Sequence, residues 1–202
     1  SISGAVTLGA GDDTFTWQGG TIGSTIDGGT GTADVFNSVL GTGVSGSLSL
    51  SNLSNFETYN HQSGTLTLTG SRTGGAVWTL AAGTILNVAG SLSNVGGTGF
   101  GITANGAATV NVLETGVLNN WVGVYFNSAS TSTVANAGAI TATSTGIATA
   151  SGPVNVTNAS TGTITSSAGD AIRLANGPST ITNSGVITGS TTGYGVYTSF
   201  GQ

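Results

Sequence analysis

Lysine, cysteine and methionine are absent from this chain of 202 residues, and only 4% of its residues are charged. An ordinary soluble domain has roughly a quarter of its residues charged. With two arginines against seven acids and a pI of about 4.1, the chain has almost nothing that neutralises phosphate groups. These absences exclude nucleic acid as a partner and disfavour an anionic membrane surface.

The lack of cysteine means that no disulfide stabilises the chain, although secreted domains normally have them. This absence suits a protein that crosses membranes unfolded, and it suits a cytosolic protein equally well. No apolar run reaches the length of a transmembrane helix, so we expect no membrane insertion by this segment. Residue 1 does not begin a signal peptide, and we interpret the chain as a fragment of a longer protein.

The residues that are present indicate strands. Glycine accounts for 36 positions, and valine, isoleucine and leucine recur throughout, usually alternating with threonine, serine or asparagine as in TLTLT (65–69). Such alternation is typical of half-buried β-strands, and helix-forming stretches are close to absent. We therefore expect a folded, all-β chain.

A repeat becomes visible when the chain is stacked on itself from residue 110 onward. Each of four similar segments is followed by a second short apolar segment, and the copies are 22 to 25 residues apart. The first segments are VLETGVL (112–118), VANAGAI (134–140), VTNASTGTI (156–164) and ITNSGVI (181–187), and the second segments are GVYF (123–126), GIAT (146–149), AIRL (171–174) and GVYT (195–198). A weaker earlier copy is LNVAGSL (86–92) followed by GITA (101–104). A strand-rich repeat of this length predicts a solenoid in which each coil supplies one repeat.

Aligned apolar positions predict three inward columns. These are Val112, Val134, Val156 and Ile181; Leu118, Ile140, Ile164 and Ile187; and Ile102, Val124, Ile147, Ile172 and Val196. The residue before the third column is always small, as a tight corner requires: Gly101, Gly123, Gly146, Ala171 and Gly195. Asn136, Asn158 and Asn183 align as an asparagine ladder, with Glu114 in the same column of the first copy.

The predicted fold is a right-handed parallel β-helix with three short strands per coil and about nine coils. We expect one domain over 1–202, with less regular coils in 1–80 and regular repeats in 81–202.

The segment LSNLSNFETYNHQSGTLTLTGS (50–71) resembles the passenger domains of bacterial autotransporters, the type V secretion proteins, through its N-F-E run and the following S-G-T-L-T-L-T-G. The stretch LGAGDDTFTWQGGTIGSTIDGGTGTADVF (8–36) and the N-x-G-x-I repeats of 136–187 are similar to coils of the same passengers. The resemblance implies a right-handed parallel β-helix that is exported through the outer membrane and displayed on the bacterial surface or released. The sequence has no translocator barrel and no protease module.

Catalytic chemistry is not predicted. His61, the only imidazole, precedes Gln62-Ser63-Gly64, so we expect an exposed loop histidine, and no G-x-S-x-G elbow accompanies it. Polysaccharide lyases need Lys or Arg beside an acidic metal site, and glycosidases need two facing carboxylates. The acids are scattered except for Asp12-Asp13, whose side chains point to opposite faces of a strand.

Two glycine-aspartate segments, GAGDDTF (9–15) and GGTGTADVF (28–36), are similar to calcium-binding nonapeptides of the form G-G-x-G-x-D-x-U-x. Asp12, Asp13, Asp27 and Asp34 would supply the oxygen ligands that calcium prefers. The second segment has one inserted residue, and the two lie about 20 residues apart instead of repeating every nine. We favour structural turns and predict neither a metal nor a cofactor.

Outward columns are the candidate contact surface. Asn119, Thr141, Thr165 and Thr188 directly follow the second inward column, and Trp121, Thr143, Ser167 and Ser190 lie two residues further on. Three explanations remain open for this ladder: the high strand propensity of solvent-exposed threonine, lateral association with another molecule, and ice binding.

Aromatic residues divide between the inside and the outside of the coils. We expect Phe126 and Leu174 to point inward, and Tyr125, Arg173 and Tyr197 to share an outward column with Thr103 and Ala148. Trp121, Tyr125 and Tyr197 form a predicted contact patch, since Trp and Tyr are common interface anchors.

The leading hypothesis is therefore a non-enzymatic bacterial surface or secreted passenger domain that mediates adhesion, self-association or binding to a host receptor. Its partner would be a host-cell surface protein or glycan, or another copy of itself. A simple spacer role, an enzyme acting on surface polysaccharide and an ice-binding protein are the alternatives.

Overall fold

Short strands joined by tight corners make up almost all of the chain, as the alternating sequence predicts. The computed structural model describes residues 1–74, 77–94, 99–175 and 177–199. Within these ranges the only helical segment is a single 3₁₀ turn, Leu50–Asn52. Frequent glycines and β-branched residues leave no stretch that favours a longer helix.

Twenty-three strands are described in chain order. The first twelve are β1 (Val6–Thr7), β2 (Thr14–Trp17), β3 (Ile26–Asp27), β4 (Val35–Val39), β5 (Ser45–Ser49), β6 (Leu53–Ser54), β7 (Thr58–Ser63), β8 (Thr65–Thr69), β9 (Ser71–Thr73), β10 (Val77–Leu80), β11 (Ile85–Val88) and β12 (Ser91–Ser93). The others are β13 (Phe100–Ala104), β14 (Thr109–Val112), β15 (Val117–Asn127), β16 (Ser132–Asn136), β17 (Ala139–Ser151), β18 (Val154–Asn158), β19 (Thr163–Ser166), β20 (Ile172–Ala175), β21 (Thr180–Asn183), β22 (Val186–Thr188) and β23 (Val196–Ser199).

The strands stack into three faces. Face A is the seven-stranded sheet β5-β8-β11-β14-β16-β18-β21. A thirteen-stranded sheet supplies faces B and C, because the long strands β15 and β17 continue around the corner between them. Face B comprises β9, β12, the first parts of β15 and β17, β19 and β22, and face C comprises β2, β4, β7, β10, β13, the second parts of β15 and β17, β20 and β23. A small sheet, β1-β3-β6, lies near the N-terminus.

Every strand pair in the described ranges is parallel, and the register is kept from rung to rung except for local shifts in the pairs β4–β7 and β15–β17. On face C a single column passes through nine rungs: Thr16, Asn37, Asn60, Thr79, Thr103, Tyr125, Ala148, Arg173 and Tyr197. Nine rungs enclose about eight coils. The prediction of an all-β parallel solenoid with three short strands per coil is confirmed, and its right-handed sense stays a prediction.

The core is one hydrophobic cluster that runs the length of the solenoid. Toward the N-terminus it is aromatic: Phe36, Tyr59 and Trp78 stack on successive rungs, with ring centroids 6.2 Å and 5.2 Å apart. Toward the C-terminus smaller aliphatic residues replace them, such as Ile147 and Ile172. The predicted inward positions of Phe126 and Leu174 are confirmed, since both are buried.

One predicted column has the wrong register. Val112 does not stack on Val134; the structure pairs Val110 with Val134, and Val112 with Asn136. Four residues separate Val112 from the start of β15, whereas two separate Asn136 from the start of β17, so an alignment without gaps shifts the first strand by two positions. Glu114 consequently lies in the corner and not in the asparagine column.

The asparagine ladder itself is confirmed. Asn136 Nδ2 donates to Asn158 Oδ1, and Asn158 Nδ2 donates to Asn183 Oδ1, both at 2.8 Å. Asn158 Nδ2 also lies 3.2 Å from the carbonyl oxygens of Gly162 and Val186, so the ladder ties the corner backbone to the stack. These buried amides are tolerated because most of their polar atoms find partners on their own or neighbouring rungs; among the described residues only Asn136 Oδ1 of the ladder has none.

At the end of the stack the predicted inward residues are less buried than expected. Ile181 and Ile187 are half-buried, and Val196 is 41% exposed. These side chains point along the inward columns, but they lie on the last described rungs. A solenoid side chain is covered by the rungs on both sides of it, so terminal positions lose half of their cover.

The small residues before the third column are required by close packing. A Cβ on Gly123 would lie 2.5 Å from the carbonyl oxygen of Gly146 and 2.7 Å from Cγ2 of Ile140. A Cβ on Gly146 would lie 2.5 Å from the carbonyl oxygen of Ala171. Neither glycine has a positive φ, so the corner demands close approach of the backbone and not a left-handed conformation.

The inward and outward assignments predict different stability effects at two adjacent residues. Ile164 is completely buried between Ile140 and Ile187, whereas Thr165 faces outward. We expect Ile164→Ala to lower the free energy of unfolding by about 2–5 kcal/mol. Thr165→Ala should cost well under half as much. Denaturant titrations of the two variants measure this directly, and equal losses would contradict the assignment.

Candidate functional site

The predicted hydroxyl ladder exists on face B, and it is longer than the sequence suggested. Asn119, Thr141, Thr165 and Thr188 pair in register as predicted. The same column continues toward the N-terminus through Ser93 and Thr73, so six successive rungs carry a hydroxyl or an amide. We call this set the hydroxyl column: Thr73, Ser93, Asn119, Thr141, Thr165 and Thr188.

The threonines of the hydroxyl column are available to a partner. Thr141 and Thr188 are exposed, and Thr165 is half-buried. Within the described residues these three side chains make no hydrogen bond to the rest of the chain. On face A, by contrast, outward amides bond to one another: Asn111 Nδ2 donates to Asn87 Oδ1 at 2.8 Å, and Asn87 Nδ2 donates to Thr67 Oγ1 at 3.2 Å.

Sequence reasoning missed the outward columns of face A. One of them passes through seven rungs of small or amide side chains: Ser47, Thr67, Asn87, Asn111, Ala135, Thr157 and Thr182. The alternation in TLTLT and the recurrence of Thr at the same strand position would have revealed it. The misaligned register around Val112 concealed the pattern.

Charge is excluded from the outward surfaces of faces A and B. No Asp, Glu, Lys or Arg occupies an outward position of the strands on these faces in the described residues. Six of the seven acids lie at corners between strands and Asp27 lies in β3; among the described residues, face C carries one outward charge, Arg173. Both faces are therefore regular, neutral and polar, and electrostatic repulsion does not oppose their approach to a similar surface.

The three predicted aromatic contact residues do not form one patch. Tyr125 stacks on Phe100, with ring centroids 4.7 Å apart, while Tyr197 stacks on Tyr194 at 5.5 Å. Arg173 lies over the Tyr197 ring at 5.4 Å. Tyr197 lies three rung spacings beyond Tyr125 in their shared outward column, a distance of about 14 Å. The predicted column of Thr103, Tyr125, Ala148, Arg173 and Tyr197 is confirmed.

Trp121 occupies the corner between faces B and C. The pairing of β15 with β17 shifts register between Asn120 and Val122, so Trp121 has no partner in the ladder. Its indole is 38% exposed. Trp121 therefore flanks the hydroxyl column at Asn119 and does not interrupt it.

His61 is not the exposed loop histidine that the sequence predicted. It lies in β7, is 0% exposed, and stacks between Ser38 and Leu80 in an inward column. Its Nε2 donates to the carbonyl oxygen of Gly64 at 3.0 Å, and within the described chain its Nδ1 has no partner. Burial lowers the pKa of His61 below its usual value, although the hydrogen bond to Gly64 opposes this effect. His61 is thus a neutral core residue.

The half-buried side chain of Arg72 packs on the buried side chain of Tyr59. Arg72 occupies the inward column that Leu92 continues, donates to the carbonyl oxygen of Leu53 at 2.7 Å, and lies over the Tyr59 ring at 4.9 Å. Burial raises the pKa of the Tyr59 hydroxyl above its usual value, and the nearby Arg72 charge opposes that shift. The pair fills the core where face B begins.

Glu57 and Arg72 line a depression of about 320 Å³ together with Asn55, Phe56 and Gly74. Both charged side chains already bond to the backbone, Glu57 to the amide of Asp34 and Arg72 to the carbonyl of Leu53. Both side chains therefore connect neighbouring segments of the first coils.

The described residues contain no group of three or more His, Cys, Asp or Glu side chains arranged around a metal position. No helix in the same ranges is long and apolar enough to cross a membrane. Comparison of the chain with protein-family models, with curated proteins and with solved structures found no match.

The burial of His61 predicts a pH dependence of stability. Because the folded protein holds the imidazole neutral, the unfolded chain binds a proton more readily below its pKa of about 6.5. The free energy of unfolding should therefore fall between about pH 7 and pH 5.5, above the range in which carboxylates titrate. His61→Leu, which introduces the residue found on the next rung, should remove this dependence. Denaturant titrations across the interval measure it, and parallel profiles for both proteins would contradict a buried neutral His61.

Proposed function

We propose that this chain is a non-enzymatic segment of a bacterial surface or secreted passenger domain, exported through the outer membrane, and that it makes adhesive contacts through the hydroxyl column. The parallel solenoid is consistent with the autotransporter resemblance of 50–71. A solenoid presents long lateral surfaces that suit extended contacts.

One observation carries the proposal: among the described residues, six successive rungs of face B present polar side chains that have no hydrogen-bond partner and carry no charge. With rungs about 4.8 Å apart, the hydroxyl column is about 24 Å long. Each exposed threonine offers one donor and two acceptor positions, so a partner with a regular polar surface gains many weak hydrogen bonds at once. Individually such bonds contribute little, and a repeated array contributes through their number.

The partners that fit this surface are a second copy of the chain and a neutral glycan or protein on a host cell. Another copy can align its own hydroxyl column without opposing charges. Glycan hydroxyls can exchange hydrogen bonds with the threonines, and the exposed Trp121 beside Asn119 offers an aromatic surface at the same edge. Neither interaction needs electrostatic steering, which a chain with two arginines and no lysine provides poorly.

The ice-binding alternative is less well supported by the same column. Threonine occupies only four of its six rungs, and Ser93 and Asn119 separate Thr73 from Thr141. Coil length also varies, from 19 residues between Asn60 and Thr79 to 25 between Ala148 and Arg173. A lattice match requires a more regular array.

A triple lysine substitution tests the contact surface. Thr141→Lys, Thr165→Lys and Thr188→Lys place three positive charges about 5 Å apart on successive rungs. The charges should repel the same face of a second copy and prevent close packing, while the inward columns remain unchanged. We expect self-association and binding to host cells, measured on bacteria that display the chain, to fall at least tenfold. Raising the salt concentration should leave binding by the unmodified chain nearly unchanged.

The matched control carries the same charge on face A of the same three coils: Ala135→Lys, Thr157→Lys and Thr182→Lys. One of these positions is half-buried and two are exposed, as in the test set. Retained binding by the control alone supports the hydroxyl column. Unchanged binding by a folded test variant would favour a spacer role, and equal losses in both variants would show that face B is not the specific contact surface.

A further inference from the structure

The acidic residues are concentrated at one end of the solenoid, where they outnumber the basic side chains. Five of the seven acids, Asp12, Asp13, Asp27, Asp34 and Glu57, lie in the first 57 residues, and the first basic side chain in the sequence other than His61 is Arg72. Arg72 is directed toward Leu53 and Tyr59. The first coils therefore hold a cluster of carboxylates that no cationic side chain in 1–60 neutralises.

Three of these acids are linked from coil to coil at the corner that precedes face C. Asp34 Oδ1 accepts a hydrogen bond from the backbone amide of Asp13 at 2.7 Å, and Glu57 Oε2 accepts one from the amide of Asp34 at 2.8 Å. Asp12 Oδ1 accepts from the amides of Thr32 and Ala33 in the next coil, both at 3.2 Å. Each carboxylate thus uses one oxygen to join neighbouring coils, which leaves its second oxygen for another partner.

Asp34 is the informative member of this cluster because it is completely buried. Its side chain is 0% exposed, and among the described residues its Oδ2 has no hydrogen-bond partner. The Oδ2 of Asp13 is likewise buried and without a partner. Burying an ionised carboxylate without a compensating group is strongly unfavourable, so buried charges in proteins are paired or coordinate a metal.

The glycine-rich loop beside Asp34 brings further oxygen toward the same place. A Cβ built on Gly31 would lie 2.4 Å from the carbonyl oxygen of Gly11 and 2.6 Å and 2.7 Å from Oδ2 and Oδ1 of Asp34. A main-chain carbonyl from one coil and the buried carboxylate from the next therefore converge at Gly31. Distances this short would be clashes for a Cβ, so only glycine fits beside these oxygens at position 31.

We propose that the two glycine-aspartate segments together form a calcium site, in which Asp34 is the central ligand and Asp13 and the Gly11 carbonyl complete the protein contribution. Carboxylate and main-chain carbonyl oxygens are the ligands that calcium prefers, and its flexible coordination accepts water at the remaining positions. Zinc prefers nitrogen and sulfur ligands, which this corner does not offer. This set has only two acidic side chains, so it agrees with the finding that no group of three or more His, Cys, Asp or Glu side chains surrounds a metal position in the described residues.

The ion would join successive coils where the cluster of negative charge is greatest. It would offset repulsion between Asp13 and Asp34 and would be available outside the cell, where weak calcium sites with dissociation constants of about 10⁻⁴–10⁻³ M are filled. The site would also explain why a carboxylate occupies a fully buried position. Binding of calcium is independent of the adhesive contacts on face B.

Calorimetric titration of the chain with calcium, after removal of metal by a chelator, tests the site. We expect one bound ion per chain and a rise in the melting temperature of about 5 °C or more when calcium exceeds its dissociation constant a hundredfold. Magnesium at the same concentration and sodium chloride at the same ionic strength should give a much smaller rise, which separates coordination from screening.

Two variants locate the ion. Asp34→Asn keeps the shape of the side chain and should abolish calcium binding, and Asp13→Asn, at a less buried position, should weaken it at least tenfold. The control is Asp170→Asn, because Asp170 also accepts a backbone amide from the next coil, that of Tyr194 at 2.8 Å, but lies far along the chain. It should bind calcium like the unmodified chain.

If Asp34→Asn does not fold, as circular dichroism would show, Asp13→Asn decides. No saturable binding by the unmodified chain at millimolar calcium would overturn the proposal, as would unchanged binding by folded variants at both positions.

Discussion

Parallel strands stacked in register are the constraint on which the rest of this molecule depends. When rungs lie about 4.8 Å apart, each side chain contacts the side chains directly above and below it, so a column has to be compatible with itself. Isoleucine on isoleucine satisfies this condition inside, as at Ile140 and Ile164, and asparagine on asparagine satisfies it at Asn136 and Asn158. Like charges on neighbouring rungs repel each other and therefore do not satisfy this condition.

This constraint accounts for the unusual composition. Charged residues would repel their own column on a flat face, and the outward positions of faces A and B are accordingly threonine, serine, asparagine and uncharged apolar residues such as Ile85 and Val186. Six of the seven acids lie at corners, where backbone amides can donate hydrogen bonds to them, as at Asp12 and Asp170. The neutral lateral surface that we propose for adhesion and the crowded acidic corner that we propose for calcium thus have one origin.

Periodicity in the sequence predicted the solenoid, two of the three inward columns and the outward columns that contain Thr141 and Tyr125. It placed Val112 wrongly. The corner after Val112 has four residues and the corner after Asn136 has two, so an alignment without gaps shifted the first strand by two positions. It also placed His61 outside, since a polar segment ending in glycine resembles a loop, whereas strand pairing with Ser38 and Leu80 fixes the imidazole inside. The Gly11 carbonyl and the Asp34 carboxylate come together only when consecutive coils stack. The pattern within one repeat therefore does not predict that they lie close to each other.

Cysteine crosslinking tests the register most directly, because the chain has no cysteine of its own. The structure pairs Asn111 with Ala135, both facing outward on face A, at a Cα separation of about 4.8 Å that a disulfide can span. Leu113, two residues further along, should be about 8 Å from Ala135, beyond that reach. Under mild oxidation, the double variant Asn111→Cys/Ala135→Cys should crosslink within the monomer, and Leu113→Cys/Ala135→Cys should remain reduced. The opposite result would contradict the stacking on which this account rests.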